Sequence, residues 1–228
     1  MKNLSAILIV GALTSSASAV IYNDTVGDIL PTNAIMDIVS MEVTNDLSNI
    51  TFKLTLNGDV VATDWGKYMI GIDKTPGGDP AGNGWARPIS QPSGMDIWLG
   101  SWVDSGNGLE DYNWTGASWS LVGATYNGTP GLGISKSGNT VTLVVGLSNL
   151  GLAPGNIIFL DAFSSGGGGS DSAVDSLANP NQSIADWPGP YSYGPGTNNP
   201  ILTYLVVPEP ATLSVLGLGA LALIRRRR

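Results

Sequence analysis

From Asp37 onward the chain repeatedly places β-branched and aromatic residues at alternate positions in short runs, each closed by Asn, Asp or Gly. This period of two constrains the fold more than any other feature, because a strand sends alternate side chains to opposite faces and a helix does not. In Ile50 to Leu56 (ITFKLTL), Ile50, Phe52, Leu54 and Leu56 point one way and Thr51, Lys53 and Thr55 the other, so one face meets a core and the other meets water. Asp37 to Val43 and Lys67 to Ile72 read in the same way, and further strands are expected at Met95 to Val103, Trp119 to Gly123, Thr140 to Gly146, Ile157 to Ala162 and Ile201 to Val207. Asn57-Gly58 is a turn signal, and Ser137-Gly138-Asn139 turns Gly133-Ile134-Ser135 into the strand at Thr140. Only Ser172 to Leu177 admits a short helical turn.

Many short strands joined by Gly-rich turns predict an all-β body, a jelly-roll-like β-sandwich. Gly166-Gly167-Gly168-Gly169-Ser170 has linker composition. Too few residues follow it for a second core, so it reads as a loop within one domain, with Ser183 to Pro200 returning the chain for a final strand.

The ends differ from the body. Lys2, the apolar stretch Leu4 to Leu13 and the small residues Ala17-Ser18-Ala19 have the order of a secretory signal helix, with cleavage expected after Ala19. At the other end, Pro208-Glu209-Pro210 precedes an uncharged apolar run, Ala211 to Ile224, and Arg225, Arg226, Arg227 and Arg228 close it. Two prolines keep Glu209 extended, the conformation a protease cleft accepts. A 14-residue helix over 211–224 spans roughly 21 Å at 1.5 Å per residue. That is short of a hydrocarbon core of about 30 Å, a mismatch that snorkelling arginines and local thinning relieve. The arginines belong on the cytoplasmic side, which leaves the Pro-Glu-Pro motif and the body outside. The expected division is therefore signal peptide 1–19, sandwich body 20–207 and C-terminal signal with a transmembrane helix 208–228.

Within the body, five cations stand against seventeen carboxylates, a net charge of −12. Such a surface repels nucleic acid. There is no cysteine, so an exported chain folds here without disulfides, and no histidine, which removes the Ser-His-Asp and Cys-His devices and imidazole ligation of zinc or haem.

The tail resembles the sorting signal of PEP-CTERM proteins, substrates of the membrane-embedded exosortase in bacteria that have an outer membrane and make exopolysaccharide. The resemblance covers about the last 22 residues and rests on motif, apolar run and arginine cluster in that order. It implies that Pro208, Glu209 and Pro210 are the processing signal and that the tail is removed by exosortase, after transient anchoring in the membrane. A single-pass tail anchor behind a proline-rich linker is the simpler reading of the same residues. The body more weakly resembles the DOMON and family 9 carbohydrate-binding-module sandwiches, through Asp24-x-x-Gly27-Asp28 and Trp65-x-x-Tyr68 leading into Met69 to Ile72 and Asp73. That resemblance implies a module for sugar or a redox cofactor. Without histidine the haem version has at most a thioether from Met36, Met41, Met69 or Met95.

Candidate binding residues are aromatic. Asp96, Trp98, Gly100 and Trp102 share one face of their strand and Met95, Ile97, Leu99 and Val103 the other. If the aliphatic face is core, Trp98 and Trp102 are positioned to stack on a pyranose; the plainer reading is that they are buried. Tyr112 and Trp114 are expected to pair with Trp119 and Leu121 across the turn Thr115 to Ser118. Asp73 with Asp79, and Asp171 with Asp175, have the oxygen chemistry calcium prefers, although loop aspartates more often cap turns. Glu42, Glu110, Asp96 and Asp104 supply carboxylates for a polysaccharide-acting enzyme, but none of the nucleophile-elbow, phosphate-loop or zinc-helix motifs accompanies them. The sequence thus leads to an exported, exosortase-processed, non-enzymatic protein of the cell surface or matrix, structural or adhesive, in contact with exopolysaccharide. No cofactor is expected apart from calcium. A tryptophan-lined carbohydrate-binding module is the first alternative and the enzyme the second.

Overall fold

The alternating runs become strands, and burial follows their period. In the computed structural model, which describes residues 19–29, 33–91, 93–179 and 202–208, the elements in chain order are β1 (Val20–Asn23), β2 (Ile38–Asn45), β3 (Asn49–Leu56), β4 (Lys67–Asp73), β5 (Ile97–Trp102), β6 (Gly108–Trp114), β7 (Trp119–Ala124), β8 (Leu132–Ser137), β9 (Thr140–Gly146), β10 (Ile157–Ser165), β11 (Ala173–Ser176) and β12 (Leu202–Leu205). A 3₁₀ turn, Thr125–Asn127, follows β7. Among the described residues no helix is long and apolar enough to cross a membrane. Apart from Ala19 itself, the expected signal helix lies outside the described residues, as do the hydrophobic helix at 211–224, Arg225 to Arg228 and the returning segment at 183–200.

All pairing is antiparallel and makes two sheets. The first has the order β1-β2-β3-β9-β8. The second runs β10-β4-β5-β6-β7, with β11 and β12 both on the free edge of β10: β12 against Ile157 to Leu160 and β11 against Phe163 to Ser165. β3 and β9 are neighbours in the first sheet while β4 and β10 are neighbours in the second. Among the described elements the chain crosses between the sheets after β3, after β7 and after β9; the crossings after β3 and β9 join neighbouring strands on both sheets, and β4 to β7 form a plain meander.

Between the sheets lies the main core. Met41, Val43, Ile50, Phe52, Leu54, Leu56, Val141, Leu143 and Val145 come from one side and Tyr68, Ile70, Ile72, Ile97, Leu99, Ile158 and Leu160 from the other, all with no exposed surface. Each such side chain contributes on the order of 1.5–3 kcal/mol by leaving water, which is what holds two faces with no covalent bridge. The Tyr68 hydroxyl donates to the Ile35 carbonyl at 2.8 Å and so finds a partner within the apolar layer.

Two expectations are corrected. Ser172 to Leu177 contains the strand β11, not a helical turn: a helix there would leave the end of the β10 edge unpaired, and all four β11 residues are buried against it. Met95, expected on the main-core face with Ile97 and Leu99, packs instead in a second cluster on the outer face of the second sheet. It precedes β5 and forms an isolated bridge with Asp79, which turns it out of the strand's alternation.

Candidate functional site

The outer face of the second sheet is apolar where β4, β5 and β10 meet, and the loop between β4 and β5 covers it. Met69, Trp98 and Phe163 from the strands join Trp85, Ile89 and Met95 from the loop. The backbones of Asp79 and Met95 exchange two hydrogen bonds of 2.9 Å, and the Trp119 indole donates to Asp79 Oδ2 at 2.8 Å. Arg87, itself buried, donates to Ser165 Oγ and to the carbonyls of Gly166 and Asp171, tying the loop to the turn after β10. Desolvation holds its guanidinium below the usual range.

This cover separates the two tryptophans expected to share a binding face. Trp98 is 0% exposed, stacked on Phe163 with ring centroids 6.1 Å apart, so its ring offers no face to a ligand. Trp102 is half-buried at the margin, 6.5 Å from Trp85 and 6.2 Å from Tyr126. A Cβ on Gly100 would meet the Trp85 ring at 2.3 Å and one on Gly108 would meet Trp102 at 1.9 Å, so the two rings lie flat on the sheet only because glycine is beneath them. Lys67, Trp85, Arg87, Trp102 and Gly169 line a shallow hollow of about 250 Å³.

Glu110 on β6 sets the ring geometry. Its Oε2 accepts from the Trp85 indole at 2.6 Å and from the Tyr112 hydroxyl at 3.3 Å, and its Oε1 from the Tyr126 hydroxyl at 2.7 Å. Burial and that carboxylate together push the Tyr112 hydroxyl up to about 12. Trp85 and Tyr126 escaped the sequence reading because both lie outside strands, where no period assigns a face. The other carboxylates weighed for hydrolysis are also engaged: Glu42 pairs with Lys53, Asp104 with Lys67, and Asp96 accepts from the backbone of Lys74 and Thr75. The expected hairpin pairs Tyr112 with Leu121 and Trp114 with Trp119.

Of the aspartates considered for calcium, Asp79 caps the backbone of Ala81 and Gly82 and Asp171 that of Gly168. Asp73 lies beside Asp96, and burial, with repulsion from that neighbour, raises its pKa. Asp175 behaves differently. It is carried by β11 to Asp28 and Asp37, with ligand oxygens of the three within 4.8 Å of one another. Burial first, then repulsion from Asp24 and Asp28, pushes Asp175 up to about 9, and burial first, then repulsion from Asp28, Asp161 and Asp37, pushes Asp24 to about 7.

The body ends on a clamp. Asn45, at the end of β2, accepts from the Val207 amide at 3.0 Å and donates to the Val207 carbonyl at 2.9 Å; it also accepts from the Tyr204 hydroxyl at 2.8 Å. Gly155 donates to the Val206 carbonyl, and Val206 to that of Asn156. Chain order thus places the Pro-Glu-Pro motif directly behind Val207: Pro208 is exposed, and Glu209 and Pro210 lie outside the described residues. Ala19, the expected cleavage position, immediately precedes β1, and Ala17 lies outside them.

A comparison with curated proteins finds no match to the chain. A scan against protein families matches residues 206–228 to the PEP-CTERM protein-sorting motif. By that segment the chain is an exported protein addressed to exosortase and held transiently in the membrane before processing.

Proposed function

We propose that the mature body is a non-enzymatic structural or adhesive component of the cell surface or extracellular matrix, delivered there by exosortase processing at Pro208, Glu209 and Pro210. The observation that carries this reading is the sorting motif at 206–228 placed directly behind a sandwich whose last strand is clamped by Asn45. A body closed to its final residue suits a part meant to persist outside the cell without disulfides. Its acidic surface supports solubility there and argues against nucleic acid as a partner. Glu209→Ala tests the sorting half: a fractionation blot is expected to show unprocessed, membrane-associated protein, and normal processing of this variant would refute it.

The ring surface favours a second reading, a carbohydrate-binding module. Trp85, Trp102 and Tyr126 are held by Glu110 and by glycine beneath them, with Lys67 and Arg87 at the same hollow. Prefixed aromatic faces with charged neighbours suit a sugar ring and its hydroxyls. Trp102→Ala and Tyr126→Ala are expected to fold and to lose affinity for the exopolysaccharide if this reading holds; unchanged affinity, or none in the wild type, leaves the structural role.

A further inference from the structure

We infer that Asp28, Asp37 and Asp175, with Asp24 beside them, form a site for one hard divalent cation, calcium by its chemistry, that ties β11 to the segment between β1 and β2.

The residues come from separate parts of the chain: Asp24 and Asp28 follow β1, Asp37 immediately precedes β2, and Asp175 lies in β11 on the other sheet. Oxygens of Asp28, Asp37 and Asp175 all lie within 4.8 Å of one another, a span that a cation with oxygen distances of about 2.4 Å bridges. Backbone groups fix the carboxylates. Asp37 Oδ2 accepts from the Gly27 amide and the Asn57 side chain at 2.9 Å each, and Asp175 accepts from the amides of Ile38 and Ser176 at 2.6 and 2.7 Å. Asp24 Oδ1 is held by the Thr25 amide at 2.7 Å.

What those bonds leave over points to a ligand. Asp37 is 3% exposed and its Oδ1 has no partner; Asp24 Oδ2 and both oxygens of Asp28 are likewise buried and unpartnered. Buried carboxylate oxygens are normally satisfied, and several unsatisfied together at one place call for a counter-charge. Among the described residues the cations are engaged elsewhere: Lys53 with Glu42, Lys67 with Asp104, Lys136 with Asp64, Lys74 with the Leu150 carbonyl, and Arg87 with the loop after β10. Donors that are all oxygen, without thiolate or imidazole, select a hard ion. Asp24 and Asp28 are only partly buried as residues, so the cluster lies near the surface although its unpartnered oxygens are covered. Extracellular modules bind calcium at about 10⁻⁴–10⁻³ M, which suits a site filled after export.

The test is a thermal melt and calorimetric titration of the full-length chain after EDTA treatment, with calcium chloride alone as the probe. One calcium per chain is expected, with a rise in Tm of roughly 5–10 °C at a hundredfold excess over Kd. Asp28→Asn and Asp175→Asn are expected to abolish binding and to melt, without calcium, no lower than the wild type, because each relieves repulsion. Asp64→Asn, an exposed aspartate paired with Lys136, is expected to keep the full response. Three results would each overturn the site: no calcium response in the wild type, a response that survives in Asp28→Asn, or one equally lost in Asp64→Asn, which marks general charge screening. Should Asp175→Asn fail to fold, Asp28, whose oxygens bond to nothing in the fold, still decides the matter.

Discussion

Asp111 shows how far one side chain can depart from what its neighbours predict. It sits on β6 opposite Leu99 and Gly123 with no exposed surface, and neither carboxylate oxygen has a hydrogen-bond partner. Burial pushes its pKa to about 7, against a smaller downward pull from Lys74. The folded state therefore holds this proton where the unfolded chain has released it, so the stabilisation is complete below the unfolded value near 3.8 and is lost as pH rises through about 7. Stability is expected to fall across that window with a slope contribution of up to about 1.4 kcal/mol per pH unit. Asp111→Asn, neutral at every pH, should remove that part of the slope, measured as the difference between urea melts of variant and wild type at pH 4.5, 6 and 7.5. An unchanged slope would mean that Asp111 is ionised in the fold. Nothing in the sequence marks this residue, because the second acid of the pair Glu110-Asp111 reads as an exposed strand position.

At the level of elements, period-two patterning was sufficient where one face is wet. β3 and β9 lie where their alternation puts them, and the β6–β7 hairpin pairs the expected residues. β1 and β11 have only four residues each, too short to show a period, and are strands because an edge was waiting for them. The loop between β4 and β5 was the largest loss. Alternation correctly placed Trp98 opposite Leu99, but it cannot tell whether the second face meets water or a cover, and the cover comes from a Gly- and Pro-rich stretch without periodicity. The same cover hides the logic of Gly100, which looks like a weak point in a strand and is the seat of the Trp85 ring. Gly100→Ala must displace that ring, so it is expected to destabilise by about 1–3 kcal/mol and to shift the tryptophan fluorescence to the red. A variant with wild-type stability and spectrum would show that the cover is not packed as described. Of the four aspartates considered for calcium, only Asp175 meets a carboxylate cluster, since its partners Asp28 and Asp37 are more than 130 residues away in sequence and become neighbours only through the meeting of two sheets.

The described body is a two-sheet sandwich tied in at each of its margins: β1 starts at Val20, directly after the expected signal cleavage, and Asn45 grips Val207 one residue before the Pro-Glu-Pro motif. Replacing Asn45 by Ala leaves the Val207 backbone and the Tyr204 hydroxyl without their partner, a loss expected to cost about 2–3 kcal/mol in chemical denaturation. Since consecutive Cα atoms are about 3.8 Å apart, there is almost no slack between the folded body and the prolines. Once trimmed at that point, the product would have no loose thread for an exopeptidase to seize. Wild-type mature protein should therefore keep its terminal residues through prolonged carboxypeptidase treatment followed by mass spectrometry, and the Asn45→Ala form should be nibbled back into β12.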